Sequence, residues 1–383
     1  MNIGFDAKRL YNNFTGLGNH SRTTIDILTE YFPENAYFLY TPKAPKSNDA
    51  SGVGAYLNKR YCCTVTPNGL LKGSLWRTFG IPKNLKRDGI DLFHGLSNEL
   101  PVGIRKSGVP SVVTIHDVAF RTFTDMYHWQ DRKIYDLKWR HAVKNADRII
   151  AISECTKQDI LRFYDVDESK IDVVYQPVAP RFYEENEECE SCKSELIAQN
   201  PELLGGFLLY VGSINSRKNL LGVVKAIELL PKDLQIPLVV VGGGREYKEE
   251  VKRYIAEHNM EHLVIFPKKR VDDEELMQLY GKAKAFVYPS FYEGFGLPVV
   301  EALLSHCPVV TSNVSSLPEA GGPYSLQANP ASVEDIRDKI ATVLTDDILC
   351  GKMISGGYDY AMNTFHPKVL AERLMSVYER VCK

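Results

Sequence analysis

Short apolar runs of strand length alternate with helical patterns along this chain, and that alternation leaves few folds open. In the first half the runs are Asn2 to Asp6, Ala36 to Tyr40, Tyr61 to Val65, Ile90 to Phe93, Val109 to Ile115 and Arg148 to Ile152, with IDVVYQPV after them. In the second half they are Phe207 to Val211, Pro237 to Val241, Leu263 to Phe266, Ala285 to Tyr288 and Pro308 to Thr311. Helical patterns such as Trp129 to Val143 and Glu154 to Tyr164 lie between them. Runs this apolar, separated by helices, belong in parallel sheets covered on both faces. At 383 residues there is room for two such domains, each with its own core. Pro177 and Pro180 break the pattern ahead of the acidic EENEECESCKSE, so the junction is expected near Val178 to Phe182. The expected division is 1–180, 181–358 and a helical tail, 359–383, with Val369, Leu370, Leu374, Val377 and Tyr378 on one buried face.

Composition narrows the function. Forty-six Lys and Arg stand against 48 Asp and Glu, and no long basic arm offers itself to nucleic acid. No apolar run is long enough to span a bilayer, and MNIGFDAKRL lacks a signal peptide's apolar segment, so a cytoplasmic location is expected. The eight cysteines include adjacent Cys62 and Cys63 and one C-x-x-C, Cys189 and Cys192, without a second ligand pair nearby, and free thiols are expected. Asp165-Val166-Asp167 has the D-x-D form of a metal motif, but it follows a helix and precedes a strand, so it reads as a turn and no metal is assigned. Residues 69–87, GLLKGSLWRTFGIPKNLKR, hold five Lys or Arg and no acid among Leu, Trp and Phe. They read as a helix covering the sheet or as a basic patch touching anionic lipid.

The chemistry concentrates between Tyr288 and Ala320. Glu293 and Glu301 bracket a Gly-Phe-Gly turn and a proline. Pro298 suits the first turn of a helix, which puts Glu293 in a loop and Glu301 on the helix, roughly two turns beyond the loop mouth at about 1.5 Å per residue. The N–H groups of Gly294, Phe295, Gly296 and Leu297 lie between them as an anion site. Carboxylate, anion site, carboxylate suits a molecule with hydroxyls at both ends and phosphate in the middle, as in a nucleotide sugar. A second anion site is expected where VGSINSRKNL follows a strand: Gly212 and Ser213 permit close approach, and Arg217 and Lys218 bring two cations. A glycine turn after the first strand, with Gly16 and Gly18, permits the same approach. His116 and His94 end two strands, at the mouths where ligands gather.

The spacing of Glu293 and Glu301 around EGFGLP resembles the E-x7-E signature of the retaining GT-B glycosyltransferases, in particular family four, glycosyltransferase group 1. HDVAF and SRKNL are similar to the bacterial mannosyltransferase branch. The resemblance spans nearly the whole chain. It implies two Rossmann-like domains facing a central cleft, with the last helix crossing back to the first domain. It implies transfer of a hexose from a nucleotide diphosphate sugar to a glycan or lipid-linked acceptor, without metal and with retained configuration, commonly in envelope polysaccharide synthesis. GDP-mannose is the favoured donor, with UDP-sugars as alternatives. Glu293 and His116 would meet the sugar and Glu301 the ribose, with Gly16, Gly18, Gly212, Ser213, Arg217 and Lys218 around the diphosphate. Arg270 and Val271 would lie in the loop that reads the base, where this chain is more basic than the family pattern. His306 stands where the family prefers glycine to end the helix, so a left-handed residue is expected there. A nucleotide-sugar epimerase, a phosphorylase or a nucleotide-sugar binding protein of the same fold is the competing reading.

Overall fold

The structure is a computed structural model, and it describes residues 1–46, 52–184 and 194–383. It divides into two compact units, one of Met1–Ala179 with His366–Lys383 and one of Pro180–Phe365. Cys189 and Cys192 lie outside the described residues. Cys62, Cys63, Cys307, Cys350 and Cys382 are unbridged.

The first unit is built on β1 (Asn2–Asp6), β2 (Ala36–Tyr40), β3 (Cys62–Val65), β4 (Leu92–Gly95), β5 (Ser111–Ile115), β6 (Arg148–Ala151) and β7 (Ile171–Val173). Their order is β3-β2-β1-β4-β5-β6-β7, and every pairing is parallel. The second unit has β8 (Leu208–Val211), β9 (Leu238–Val241), β10 (Val264–Ile265), β11 (Ala285–Tyr288), β12 (Val309–Ser312) and β13 (Leu326–Ala328). Its order is β10-β9-β8-β11-β12-β13, again parallel throughout. In each sheet the first strand has neighbours on both sides that lead away in opposite directions. That reversal opens a crevice beyond the carboxyl ends of β1 and β4, and another beyond β8 and β11.

The apolar runs all became strands, with ends moved by at most two residues except in IDVVYQPV, where only Ile171–Val173 pairs. β13 was not anticipated, because its three residues mix Leu, Gln and Ala and carry no run to read. Alternation along each strand fills both faces. Leu92 packs with Ile3, Phe5 and Leu28, while its neighbour Phe93 packs with Tyr40, Trp76 and Trp139.

Two local differences bear on the site. A short helix, Lys8–Asn12, intervenes after β1, and Gly16 and Gly18 then form the first turn of helix Gly16–Tyr31 instead of a free loop. The tail is two helices, Asp347–Phe365 and Pro367–Cys382, rather than one element from 359. Pro367 ends the first of them by holding His366 in an extended conformation, ψ 135°, and then opens the next. Leu370, Leu374, Val377 and Tyr378 are buried as the stripe implied, Val369 is only half-buried, and the last helix packs within the first unit against Ile3, Phe5 and Leu92.

Residues 73–87 do cover the sheet, as helix Gly73–Leu75, a π-helical turn Trp76–Gly80 and helix Ile81–Arg87. One of their four basic residues is internal. Arg77 donates from Nε to Asp6 Oδ2 at 2.7 Å and pairs through Nη1 with Glu99 at 2.6 Å, its side chain 11% exposed. Taking away the guanidinium strands two carboxylates, Asp6 at the end of β1 and Glu99 in the loop after β4. Arg77→Ala is therefore expected to lose about 3–5 kcal/mol, read as a lower urea midpoint with an unchanged slope.

Candidate functional site

The loops that leave β8 and β11 meet at the crevice of the second sheet. Gly212 follows β8 with φ 148°, a left-handed geometry that favours glycine. A Cβ at Gly242, after β9, would fall 1.8 Å from Gly212 O, so the two loops touch backbone to backbone. Ser216–Lys218 is a single 3-10 turn, closed by Asn219 in the left-handed conformation at φ 59°. Asn219 Nδ2 donates to Pro289 O and Pro330 O, which ties this turn to the loop after β11. Ser290 Oγ and Phe291 N both reach Arg217 O, at 3.1 and 2.8 Å.

Glu293 is thereby delivered to two cations. Arg217 Nη1 is 3.1 Å from Oε2, and Lys218 Nζ is 3.0 Å from Oε1. The Tyr288 hydroxyl donates to Oε1 at 2.9 Å, and Lys218 Nζ also bonds that hydroxyl. Arg217 donates to Tyr292 O as well. Ser315 and Ser316 grip the backbone around the carboxylate: Glu293 N donates to Ser315 Oγ at 2.9 Å, and Ser316 Oγ reaches Glu293 O and Phe295 O. Burial alone would raise the carboxyl, but Lys218 and Arg217 outweigh it and hold the pKa at about 2. Glu293 is a fixed carboxylate.

Gly294 and Phe295 carry the chain on to Gly296, left-handed at φ 119°, and helix Leu297–Leu304 starts with Pro298 in its first turn. A side chain at 296 would meet Leu317 Cδ2 at 2.8 Å. Glu301 lies one turn into the helix, not two, because helical geometry begins at Leu297. Its Oε2 accepts from Tyr280 Oη at 3.1 Å. Burial raises its pKa to about 7, with the Tyr280 bond and Arg181 working against the rise. The helix ends as expected: His306 is left-handed at φ 55°, its ring stacked on Tyr358 at 4.2 Å.

Ser213 is exposed beside Asn215. Arg270 and Val271 lie in the loop after β10. Asp167 caps a turn by accepting the Ser169 N–H at 2.9 Å, and no His, Cys, Asp and Glu group suited to a metal occurs among the described residues.

In the first unit, Gly18 packs where a Cβ would sit 1.7 Å from Asn13 O, and Asn13 Oδ1 accepts from Gly18 N and Thr15 N. Close packing accounts for this glycine, whereas Gly16 faces open space. His116 follows β5 and is 4% exposed. Its Nε2 is 2.8 Å from Leu96 O and its Nδ1 2.7 Å from the Gln176 amide nitrogen, which requires the Nε2–H tautomer. Burial lowers its pKa to about 4, so the ring is neutral. Asp117 caps the next turn through Ala119 N. His94 is held by Tyr378 and Thr114 at 2.7 and 2.8 Å. His20 meets His116 edge to face at 4.6 Å, and neither of its ring nitrogens has a hydrogen-bond partner among the described residues.

Motif spacing missed Tyr288, Ser290, Asn219 and Gln176. The one signal for Tyr288 was a polar-tipped aromatic closing an otherwise apolar strand.

Two family models match the chain: Glycosyltransferase Family 4 over residues 24–182, and Glycosyl transferases group 1 over residues 196–360. An O-antigen chain mannosyltransferase B of Escherichia coli is 33% identical over 67% of this chain and 66% of its own length. A serotype-specific mannosyltransferase WbdA of the same organism is 29% identical over 67% of this chain, which spans only 32% of that larger protein. Among solved structures, Anabaena Alr3699/HepE in complex with UDP and glucose superposes with a TM-score of 0.73 at 17% identity, covering 99% of this chain and all of that one. The lipopolysaccharide glycosyltransferase WaaG gives 0.71 at 18%, covering 99% of both chains.

The Glu301 pKa has a stability consequence. An acid whose folded pKa lies above its ordinary 4.5 keeps its proton longer when folded, so its contribution favours the fold at low pH and is lost as pH rises through about 7. Glu301→Gln should therefore be near neutral for stability at pH 4.5 and gain about 1–3 kcal/mol at pH 8, measured by urea unfolding at the two pH values.

Proposed function

The chain belongs to the family four, group 1 glycosyltransferases, and from that premise we propose that it transfers a hexose from a nucleotide diphosphate sugar to a glycan or lipid-linked hydroxyl. Mannose from GDP-mannose is the proposed donor, since the relatives at 33% and 29% identity are named mannosyltransferases, and O-antigen polysaccharide is the proposed destination. The observation that carries the reading is Glu293, a carboxylate only 12% exposed and kept ionised by Arg217 and Lys218 beside the β8–β11 crevice.

In the proposed mechanism the donor diphosphate takes a share of these two cations, which neutralise the leaving group where a divalent ion would otherwise serve. Glu293, fixed as an anion, accepts a sugar hydroxyl and steadies positive charge near the anomeric carbon. Glu301 takes the ribose hydroxyls, and the configuration at the anomeric carbon is retained. Gly212 and Ser213 let the diphosphate come close to backbone, assisted by Gly294 to Leu297 and the Gly16–Gly18 turn. His116 is proposed as a neutral contact to the sugar that gives up its Leu96 bond. Arg270 and Val271 are proposed to face the base.

Incubation with UDP-, GDP- and ADP-sugars in EDTA should give turnover with GDP-mannose, and Glu293→Ala should lower it about 100-fold or more with folding intact. Turnover strictly dependent on added divalent metal would overturn the mechanism.

A lipid-linked acceptor would bring the chain to a membrane surface. No helix among the described residues is long and apolar enough to cross one. We propose instead that Leu71, Leu75 and Phe79, spaced four apart and exposed beside Lys72, Lys83 and Lys86, lie against anionic lipid. Vesicles containing anionic lipid should co-sediment the protein and neutral ones should not, with loss in Leu75→Ser/Phe79→Ser and in high salt.

A further inference from the structure

We infer that the Tyr288 hydroxyl is the positioning group of the Glu293 site, fixing one carboxylate oxygen so that the other is left to the donor sugar. This rests on reading the cluster as the donor site. Tyr288 is the last residue of β11, its ring fully buried and packed on Phe286 at 5.5 Å and Tyr210 at 5.9 Å. The ring cannot swing, so its oxygen is a fixed point at the strand's end.

The two oxygens of Glu293 are used unequally. Oε1 has the Tyr288 hydroxyl at 2.9 Å, Lys218 Nζ at 3.0 Å and Ser290 Oγ at 3.0 Å. Among the described residues Oε2 has Arg217 Nη1 alone, at 3.1 Å. Ser290 is a shared donor, since its single proton is also within reach of Arg217 O and Tyr292 O. Tyr288 has no such competition. Its one proton goes to Oε1, and its lone pair receives Lys218 Nζ, whose charge also lies 4.9 Å from the ring centroid. Burial holds the phenol well above its ordinary pKa, so it remains a donor at any working pH.

A single phenol oxygen thus sets the distance between the acid and one of its cations. With Oε1 saturated, the carboxylate cannot rotate without breaking bonds to Tyr288 and Lys218, and Oε2 keeps a lone pair for a substrate hydroxyl. Positive charge on the loop is held by Arg217 and Lys218 whether or not Tyr288 carries its hydroxyl. Binding of the diphosphate and alignment of the sugar are therefore separable, and Tyr288 acts on the second.

The test is Tyr288→Phe, which keeps the ring and its packing and removes only the oxygen. Donor Kd by calorimetry should stay within about twofold, while kcat falls about 10- to 100-fold, the scale for a lost preorganised donor. In a Glu293→Gln background the same substitution should cost less than about twofold, because a group that acts through Glu293 has nothing further to lose. Thermal unfolding of each variant is followed alongside, and Lys218→Ala serves as the contrast, with weakened donor binding. Tyr288→Phe with wild-type kcat, with weakened donor binding, or with a loss that multiplies with that of Glu293→Gln would overturn the inference. A wild-type chain that binds no nucleotide sugar would overturn the reading of the site, and the inference with it.

Discussion

A carboxylate taken out of water survives as an anion only if opposite charge is already in place, and the second unit is arranged around meeting that condition for Glu293. The acid comes from the loop after β11, the cations from the loop after β8, and β8 and β11 are neighbours because the strand order reverses there. Parallel pairing brings both carboxyl ends to the same edge. Asn219, in a conformation that asparagine tolerates better than most residues, staples the two loops at the carbonyl of Pro289 and bonds Pro330 O after β13 as well. Disturb the register of β8 on β11 and the ion cluster goes with it.

The same stretch of chain holds a second carboxylate in the opposite condition. Glu301 is half-buried, has among the described residues no cation in hydrogen-bond contact, has Tyr280 as its bonded partner, and titrates near neutrality. Eight residues therefore separate a permanently charged acid from one whose charge depends on what approaches it. A neutral acid bordering a crevice can be ionised by a ligand that offers hydroxyl donors, whereas a fixed anion can only orient one. The two glutamates differ through their neighbours, and the intervening helix start supplies the difference by turning Glu301 away from Arg217 and Lys218.

Much of this was legible beforehand. Apolar runs ending in Gly212, Tyr288 and His116 marked the strand ends, and Pro298 and His306 marked the two ends of the Glu301 helix. What escaped has a common cause. Ion pairing between Arg217, Lys218 and Glu293 joins positions some seventy-five residues apart, and spacing along a chain carries no record of which distant side chains meet. Tyr288 looked like one more strand aromatic because its ring is core while its oxygen is not. Beside the ligand roles their motifs suggest, Gly18 and His116 have local contacts that spacing could not show: close packing on Asn13 for one, bonds to Leu96 and Gln176 for the other. β13 was too short and too mixed to register.

The helix Pro367–Cys382 belongs to the first unit, although the whole of the second separates it from the rest of that unit in sequence. Ile3, Phe5 and Leu92 are covered by residues that are synthesised only after the whole of the second unit. Vectorial synthesis usually lets an N-terminal domain fold before its successor is made. Here that order is inverted in part: the earlier body must wait, with an apolar face uncovered, while the later one is completed. Chaperone occupancy during translation should therefore concentrate on the first unit and end only when the sixteen-residue helix Pro367–Cys382 docks.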